Sequence, residues 1–290
     1  MTDTKDMIAE VCSWIEPDLQ KVFPDELSDD ITVRASLYSL LAGGKRIRPC
    51  FMYQSARMLG MDPDEIKIYA VALEMIHTYS LIHDDLPSMD NDDLRRGMPT
   101  CHKKFSEGIA VLAGDNLLNR AYELLFSAKD HKAGAYIAGL AGINGMIGGQ
   151  SIDIDSEDKK ISLERLYELQ RKKTGALLEA AICTPCIVAG CPDDIFETMK
   201  QISLHIGLAF QIKDDILDVL SNEEELGKST GKDERDNKQT FVTMLGLEGA
   251  KERLDEEISG AYDKISYLKE KGYDTEGFAA LTRFMAERTF

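Results

Sequence analysis

The sequence predicts an all-α fold, one domain of about ten helices. Apolar residues recur at helical spacing along most of the chain, and alternating strand patterns flanked by tight-turn dipeptides are almost absent. Gly, Pro and polar clusters fall between the periodic stretches.

In chain order the expected helices are 5–20, 31–43, 47–59, 64–86, 106–127, 132–153, 162–190, 193–220, 247–270 and 275–288. "FPDELSDD" separates the first two. Helix 64–86 has an apolar body of Ala70, Val71, Leu73, Ile76, Leu81 and Ile82, so it is expected to be deeply packed. Within 132–153, "GAYIAGLAGINGMIGGQ" is rich in Gly and Ala. Each Gly costs about 1 kcal/mol of helix propensity relative to Ala, and small residues allow close helix approach or leave room for a ligand. After the eighth helix comes a long polar connection, "SNEEELGKSTGKDERDNKQ", of the kind that carries function or moves. No composition break marks a linker and no repeat has a solenoid period, so residues 1–290 are expected to form one domain.

Composition excludes several classes. With 34 Lys and Arg against 51 Asp and Glu, the formal charge of −17 repels nucleic-acid phosphates. The acidic start "MTDTKDMIAEVCSW" lacks the basic flank and apolar centre of an export signal, so the cytoplasm is expected. The best candidate for a membrane span, "ALLEAAICTPCIVAG", contains Glu179 and Pro185, so no membrane insertion is expected. The six cysteines are expected as thiols. Cys183 and Cys186 spell CxxC in an apolar segment without a second ligand pair, so neither metal nor redox use is expected.

Two acidic clusters stand out. "LIHDDLPSMDNDDLRRG" places Asp84, Asp85, Asp90, Asp92 and Asp93 at and beyond the end of helix 64–86, where the helix dipole is negative. Something positive must offset them. "AFQIKDDILDVL" spaces Gln211, Asp214, Asp215 and Asp218 along a helix, so that Asp214 and Asp218 can converge on one ligand. One DDxxD by itself is a weak signal and a solvated acidic face explains it. Two clusters, each set in an apolar helix, favour Mg²⁺, which is commonly held by one or two carboxylates together with substrate phosphates. Basic residues for a diphosphate lie in "GGKRIRP" (Lys45, Arg46, Arg48), at Arg95 and Arg96, in "RKKTG" (Lys172, Lys173, Thr174) and in the polar loop (Lys228, Lys232, Lys238). Taken singly, Lys228 to Lys238 read as a solvated loop and His77 as a core histidine. "AGGKRIRP" lacks the GxxxxGK[ST] of a nucleotide-binding loop.

These landmarks, with "AGDNLL", "GGQSIDI", "KTGAL" and "GKDERDNKQT", run in a familiar order over nearly the whole chain. The sequence resembles the all-trans polyprenyl diphosphate synthases, most nearly the short-chain bacterial farnesyl diphosphate synthases. The resemblance implies a homodimer of antiparallel helices, with the two aspartate clusters facing each other across a cavity mouth. It further implies that Asp84, Asp85, Asp90, Asp214 and Asp218 hold about three Mg²⁺ ions on an allylic diphosphate. Arg95, Lys173, Lys228 and Lys238 would bind that diphosphate, and Lys45, Arg48, His77 and Arg96 isopentenyl diphosphate. Lys173, Thr174 and Gln211 would flank the allyl cation, and Tyr79, with Ser80 beside it, would limit product length. Two departures limit what carries over. Asp84 and Asp90 are six positions apart across Pro87, so the helix must bulge or end there, and the terminal "ERTF" leaves closure by Arg288 open. Alternatives are a geranylgeranyl diphosphate synthase, a terpene cyclase or head-to-head condensing enzyme, and a non-catalytic acidic helical protein that chelates cations. The last leaves Lys45, Arg48, Arg95 and Arg96 unexplained, and cyclases and head-to-head enzymes need no isopentenyl diphosphate site.

Overall fold

In the computed structural model residues 4–225 and 239–287 are described, and helix dominates them. The chain forms two compact units, residues 1–138 and 139–290. None of the described helices is long and apolar enough to cross a membrane.

The first unit contains α1 (Thr4–Leu19), α2 (Ile31–Leu40), α3 (Ile47–Met58), α4 (Lys67–Asp84), α5 (Cys101–Lys104), α6 (Glu107–Ser127) and most of α7 (His131–Ala141). Asp30 starts α2, its carboxylate accepting the Thr32 and Val33 N–H groups at 2.8 and 3.2 Å, as an N-cap should. Residues Tyr69 to Ile76 of α4 are all buried, and a helix buried around its whole circumference is central rather than amphipathic. It packs on α6, which in turn packs on α2.

Arg46 ties this unit together. Its guanidinium donates to Glu16 of α1 at 2.8 Å, to Glu74 of α4 at 2.9 Å and to the Leu40 carbonyl of α2 at 2.9 Å. Burial alone would lower the Arg46 pKa, but the paired carboxylates raise it.

The second unit contains α8 (Met146–Asp155), α9 (Leu163–Gln170), a π-helical turn (Arg171–Gly175), α10 (Ala176–Ala189), α11 (Asp193–Glu225), α12 (Phe241–Glu270) and α13 (Glu276–Glu287). Leu166 of α9, Ile212 and Ile216 of α11, and Phe241 and Leu254 of α12 form a buried apolar cluster.

Several boundaries depart from the periodicity. The helix expected at 132–153 is two, because residues 142–145 form a turn in which only Gly fits at 145: a Cβ there would lie 1.9 Å from the Leu140 carbonyl oxygen. The helix expected at 162–190 is continuous but for the π turn. That expected from 247 begins at Phe241 and is broken at Gly246 (φ 73°, ψ 163°), so apolar periodicity located the break, not the start. A two-stranded hairpin, Leu94–Arg95 against Met98–Pro99, was not legible in the pattern. Its two-residue turn has positive φ at both Arg96 (54°) and Gly97 (75°), the primed geometry that matches strand twist.

Replacing Arg46 by Met leaves Glu74, 3% exposed, as a buried charge without its partner. The expected loss is about 3–5 kcal/mol of unfolding free energy in urea, most of it recovered by Arg46→Met with Glu74→Leu. Losses below about 1 kcal/mol for the single variant would show that Glu74 is not held by this pair.

Candidate active site

The first unit carries an acidic group and a basic group on and around α4. The helix ends at Asp84, and the chain then folds back: Met89 N–H reaches Leu86 O at 2.9 Å, and Asp90 N–H reaches the Asp84 carbonyl at 2.9 Å. Asp90 thus returns to the helix end despite the six-residue gap, and Asn91, with φ 50°, completes the turn. Asp85 is 3% exposed and is gripped by Arg95 from the hairpin, with Nε–Oδ distances of 2.8 and 3.0 Å and an Nη2–Oδ1 distance of 2.6 Å. Burial pushes the Asp85 pKa up, and the hydrogen bonds and charge of Arg95 oppose it. Arg95 also lies 3.8 Å from Asp92, and Lys103 pairs with Asp93 at 2.9 Å. Positive charge from the protein itself therefore offsets part of the acidic crowd.

The basic group is Arg48, His77 and Arg96. Burial pulls Arg48 down to about 10, Glu74 opposing this and Arg96 adding to it. The Arg48 Nε is buried with no hydrogen-bond partner. Burial and the charges of Arg48, Arg96, Arg95 and Arg46 hold the His77 pKa well below the usual histidine range, so the ring is neutral at neutral pH. Arg96 is lowered too, chiefly by burial, and donates to the Gly43 carbonyl of "GGKRIRP". Mutually repelling cations beside an unpartnered buried donor form a receptor for an anion, and arginine forks suit phosphate oxygens. Lys45 is exposed next to them. A cleft lined by Thr78, Leu81, Ile82, Asp85, Arg95 and Arg96 lies alongside.

Farther back on α4, Tyr79 is 5% exposed, its hydroxyl buried with no hydrogen-bond partner. Its ring meets His83 edge-on at 5.7 Å, and the His83 Nε2 is 3.1 Å from the Val111 carbonyl of α6. Ser80 turns its hydroxyl back to the His77 carbonyl at 2.8 Å.

In the second unit the π turn presents Lys173 and Thr174, and such turns concentrate at functional sites. Lys173 Nζ is 2.5 Å from Asp153 Oδ2 of α8. Gly149 permits that contact, since a Cβ there would lie 2.1 Å from the Lys173 backbone nitrogen. The Thr174 hydroxyl donates to Gln211 Oε1 at 3.2 Å, and Gln211 Nε2 donates to Asp215 Oδ1 at 3.0 Å. The other Asp215 oxygen accepts the Phe241 N–H at 2.8 Å, at the start of α12. Asp215 is thus buried structure, and it orients the Gln211 amide. Its neighbours Asp214 and Asp218 keep partial exposure on α11.

A model of the polyprenyl synthetase family matches residues 30–271, across both units. The chain belongs to that family. The farnesyl diphosphate synthase of Geobacillus stearothermophilus is 43% identical over 263 residues, 88% of each chain, and that of Escherichia coli 42% identical over 265 residues, 88% of this chain and 89% of its own. Among solved structures, an FPP/GFPP synthase from Zymomonas mobilis matches with a TM-score of 0.84 and 32% identity, covering 97% of this chain and 98% of its own.

Membership in the polyprenyl synthetase family fits the donor set, which is hard carboxylate oxygen. Among the described residues no three His, Cys, Asp or Glu side chains form a ready metal cage. Mg²⁺ is commonly bound by one or two carboxylates with substrate phosphates, a mode that needs no such cage. Sequence reasoning missed Asp153 and Asp215 as holders of Lys173 and Gln211. The four-residue spacing from Gln211 to Asp215 was a usable signal; nothing local pointed from Asp153 to Lys173. Lys228, Lys238 and Arg288 lie outside the described residues.

Asp215→Ala leaves the Phe241 N–H and the Gln211 amide without their acceptor. The expected loss is about 1–3 kcal/mol in urea, with a lowered midpoint and an unchanged slope. An unchanged midpoint would show that Asp215 does not hold α12.

Proposed function

We propose that the chain is a Mg²⁺-dependent head-to-tail prenyltransferase, a single domain over residues 1–290. It condenses isopentenyl diphosphate with dimethylallyl or geranyl diphosphate and releases farnesyl diphosphate. The observation that carries this is the make-up of α4. His77, with Arg48 and Arg96, supplies an anion receptor, and Asp84 supplies a carboxylate about 10 Å farther along the same helix. The farnesyl diphosphate synthases among the relatives support the product. We also take the enzyme to be a cytoplasmic homodimer.

Lys45, Arg48, His77 and Arg96 bind the diphosphate of the isopentenyl substrate, His77 as a neutral donor. Asp84, Asp85 and Asp90, and likewise Asp214 and Asp218, are assigned to about three Mg²⁺ ions on the allylic diphosphate, with Arg95 and Lys173 binding its oxygens. Lys228 and Lys238 take the same role in the proposal. Mg²⁺ supplies, when bound, charge neutralisation for the departing diphosphate. Breaking the allylic carbon–oxygen bond leaves a cation at the allyl group. The Thr174 hydroxyl, the Gln211 amide oxygen and the Lys173 backbone carbonyl set fixed dipoles against that charge. Asp215 keeps the Gln211 oxygen toward Thr174 rather than reversed. The isopentenyl double bond attacks the cation, and the released diphosphate takes the proton. No protein base is required.

Tyr79, about 7.5 Å along α4 from Asp84, is the residue on which the growing tail stops. Forcing another isoprene unit against a packed ring costs at least the 1–3 kcal/mol of typical overpacking, which favours release. Purified chain with Mg²⁺, labelled isopentenyl diphosphate and geranyl diphosphate is expected to give mainly fifteen-carbon product, read by chromatography after dephosphorylation, and none with EDTA. Tyr79→Ala is expected to shift the product to twenty carbons or more. No condensation product at all overturns the proposed reaction. A fifteen-carbon product unchanged in Tyr79→Ala overturns only the role of Tyr79, and a twenty-carbon wild-type product makes the enzyme a geranylgeranyl diphosphate synthase.

A further inference from the structure

The end of α10 carries two thiols that the proposed chemistry does not use. Gly190 adopts the left-handed conformation (φ 64°, ψ 42°) after the helix, its N–H reaching the Ile187 carbonyl at 3.1 Å. The Cys191 N–H reaches the Cys186 carbonyl at 2.9 Å. These two bonds define a Schellman closure, in which the residue after the glycine and the one five positions before it bring their side chains together. In most proteins that contact is apolar. Here both positions are cysteine, so the closure brings two thiols together at the end of α10.

The two sulfurs differ in access and in acidity. Cys186 is 1% exposed and Cys191 is half-buried. Its interaction with Cys191, together with burial, raises the Cys186 pKa, so Cys186 keeps its proton. The same interaction with Cys186 lowers the Cys191 pKa despite partial burial. Cys191 also stands just before Pro192, whose carbonyl starts α11 by accepting from Ile195 and Phe196 at 3.1 and 3.0 Å, and the N-terminal end of a helix favours a thiolate. Cys183 is fully buried one turn back on α10.

We propose that Cys191 and Cys186 are a peroxide-responsive dithiol that closes to a disulfide across the turn ending α10. The Cys191 thiolate attacks one oxygen of hydrogen peroxide; the S–O bond forms, the O–O bond breaks and water leaves after protonation. The Cys186 sulfur then attacks the sulfenic sulfur; the S–S bond forms, the S–O bond breaks and a second water leaves with the Cys186 proton. Two thiols and one peroxide give one disulfide and two waters. Closure keeps Cys191 from irreversible further oxidation and joins the last turn of α10 to the short link before α11.

The test uses the intact purified chain, hydrogen peroxide in molar excess as the probe, maleimide alkylation and trypsin. Peptide Thr174–Lys200 holds all three cysteines. The expected product has lost two hydrogens and retains a single alkylated cysteine, Cys183, by fragment masses. Cys183→Ser is expected to close as the wild type does, and Cys191→Ser to lose the closed species. Cys186→Ala is expected to stop at a Cys191 sulfenic acid, trapped by dimedone. Three alkylated thiols after peroxide would overturn the proposal. So would a bond between Cys183 and Cys186, or closure that survives in Cys191→Ser. Circular dichroism of each variant separates loss of the pair from loss of the fold.

Discussion

The buried, bidentate contact between Asp85 and Arg95 is the constraint on which the first unit's chemistry depends. A central apolar helix ends in carboxylates where its own dipole is negative, an arrangement unfavourable without compensation. Arg95 reaches Asp85 because the hairpin turn at Arg96 and Gly97 reverses the chain. The same reversal carries Arg96 to Gly43, beside Arg48 and His77. One short hairpin therefore supplies the counter-charge for the acidic end of α4 and completes the basic group next to it. The fold-back that returns Asp90 to the Asp84 carbonyl is pinned in turn by Thr100, whose hydroxyl donates to Asp92 O at 2.7 Å.

The second unit solves a similar problem differently. Polar groups on the π turn and α11 are held by carboxylates, the half-buried Asp153 for Lys173 and the buried Asp215 for Gln211. Asp215 divides its two oxygens between a side chain of the site and the backbone of α12. The placement of Gln211 is thus coupled to the start of a helix thirty residues on. A half-satisfied version of this network would leave buried donors unpaired, which is costly at low dielectric.

Much of this was legible in the residues. Helical periodicity located α1, α2, α3, α6 and α13 to within a few residues, and the apolar body of α4 gave its burial. The two acidic clusters and "GGKRIRP" pointed to cation and diphosphate chemistry before any contact was known. What stayed hidden were features decided by tertiary contact rather than by pattern. The break after Ala141 follows from a steric limit at Gly145. The π turn left no mark in the pattern, because α10 beyond it is buried at every position from Ala176 to Cys186 and shows no phase that a shift could disturb. The pairing of Asp85 with Arg95 joins residues ten apart in sequence through a hairpin too short to show strand alternation. The thiol contact at the end of α10 needed the left-handed Gly190, which CxxC counting does not include.

A double-mutant cycle at Asp85 and Arg95, measured by urea unfolding without substrate or metal, tests most directly that Arg95 offsets the buried charge of Asp85 at the acidic end of α4. The account predicts that Asp85→Ala and Arg95→Ala each destabilise the chain, and that together they cost less than their sum by about 1–3 kcal/mol. Strictly additive losses would contradict it, because Asp85 and Arg95 would then contribute independently and the contact would not be the constraint.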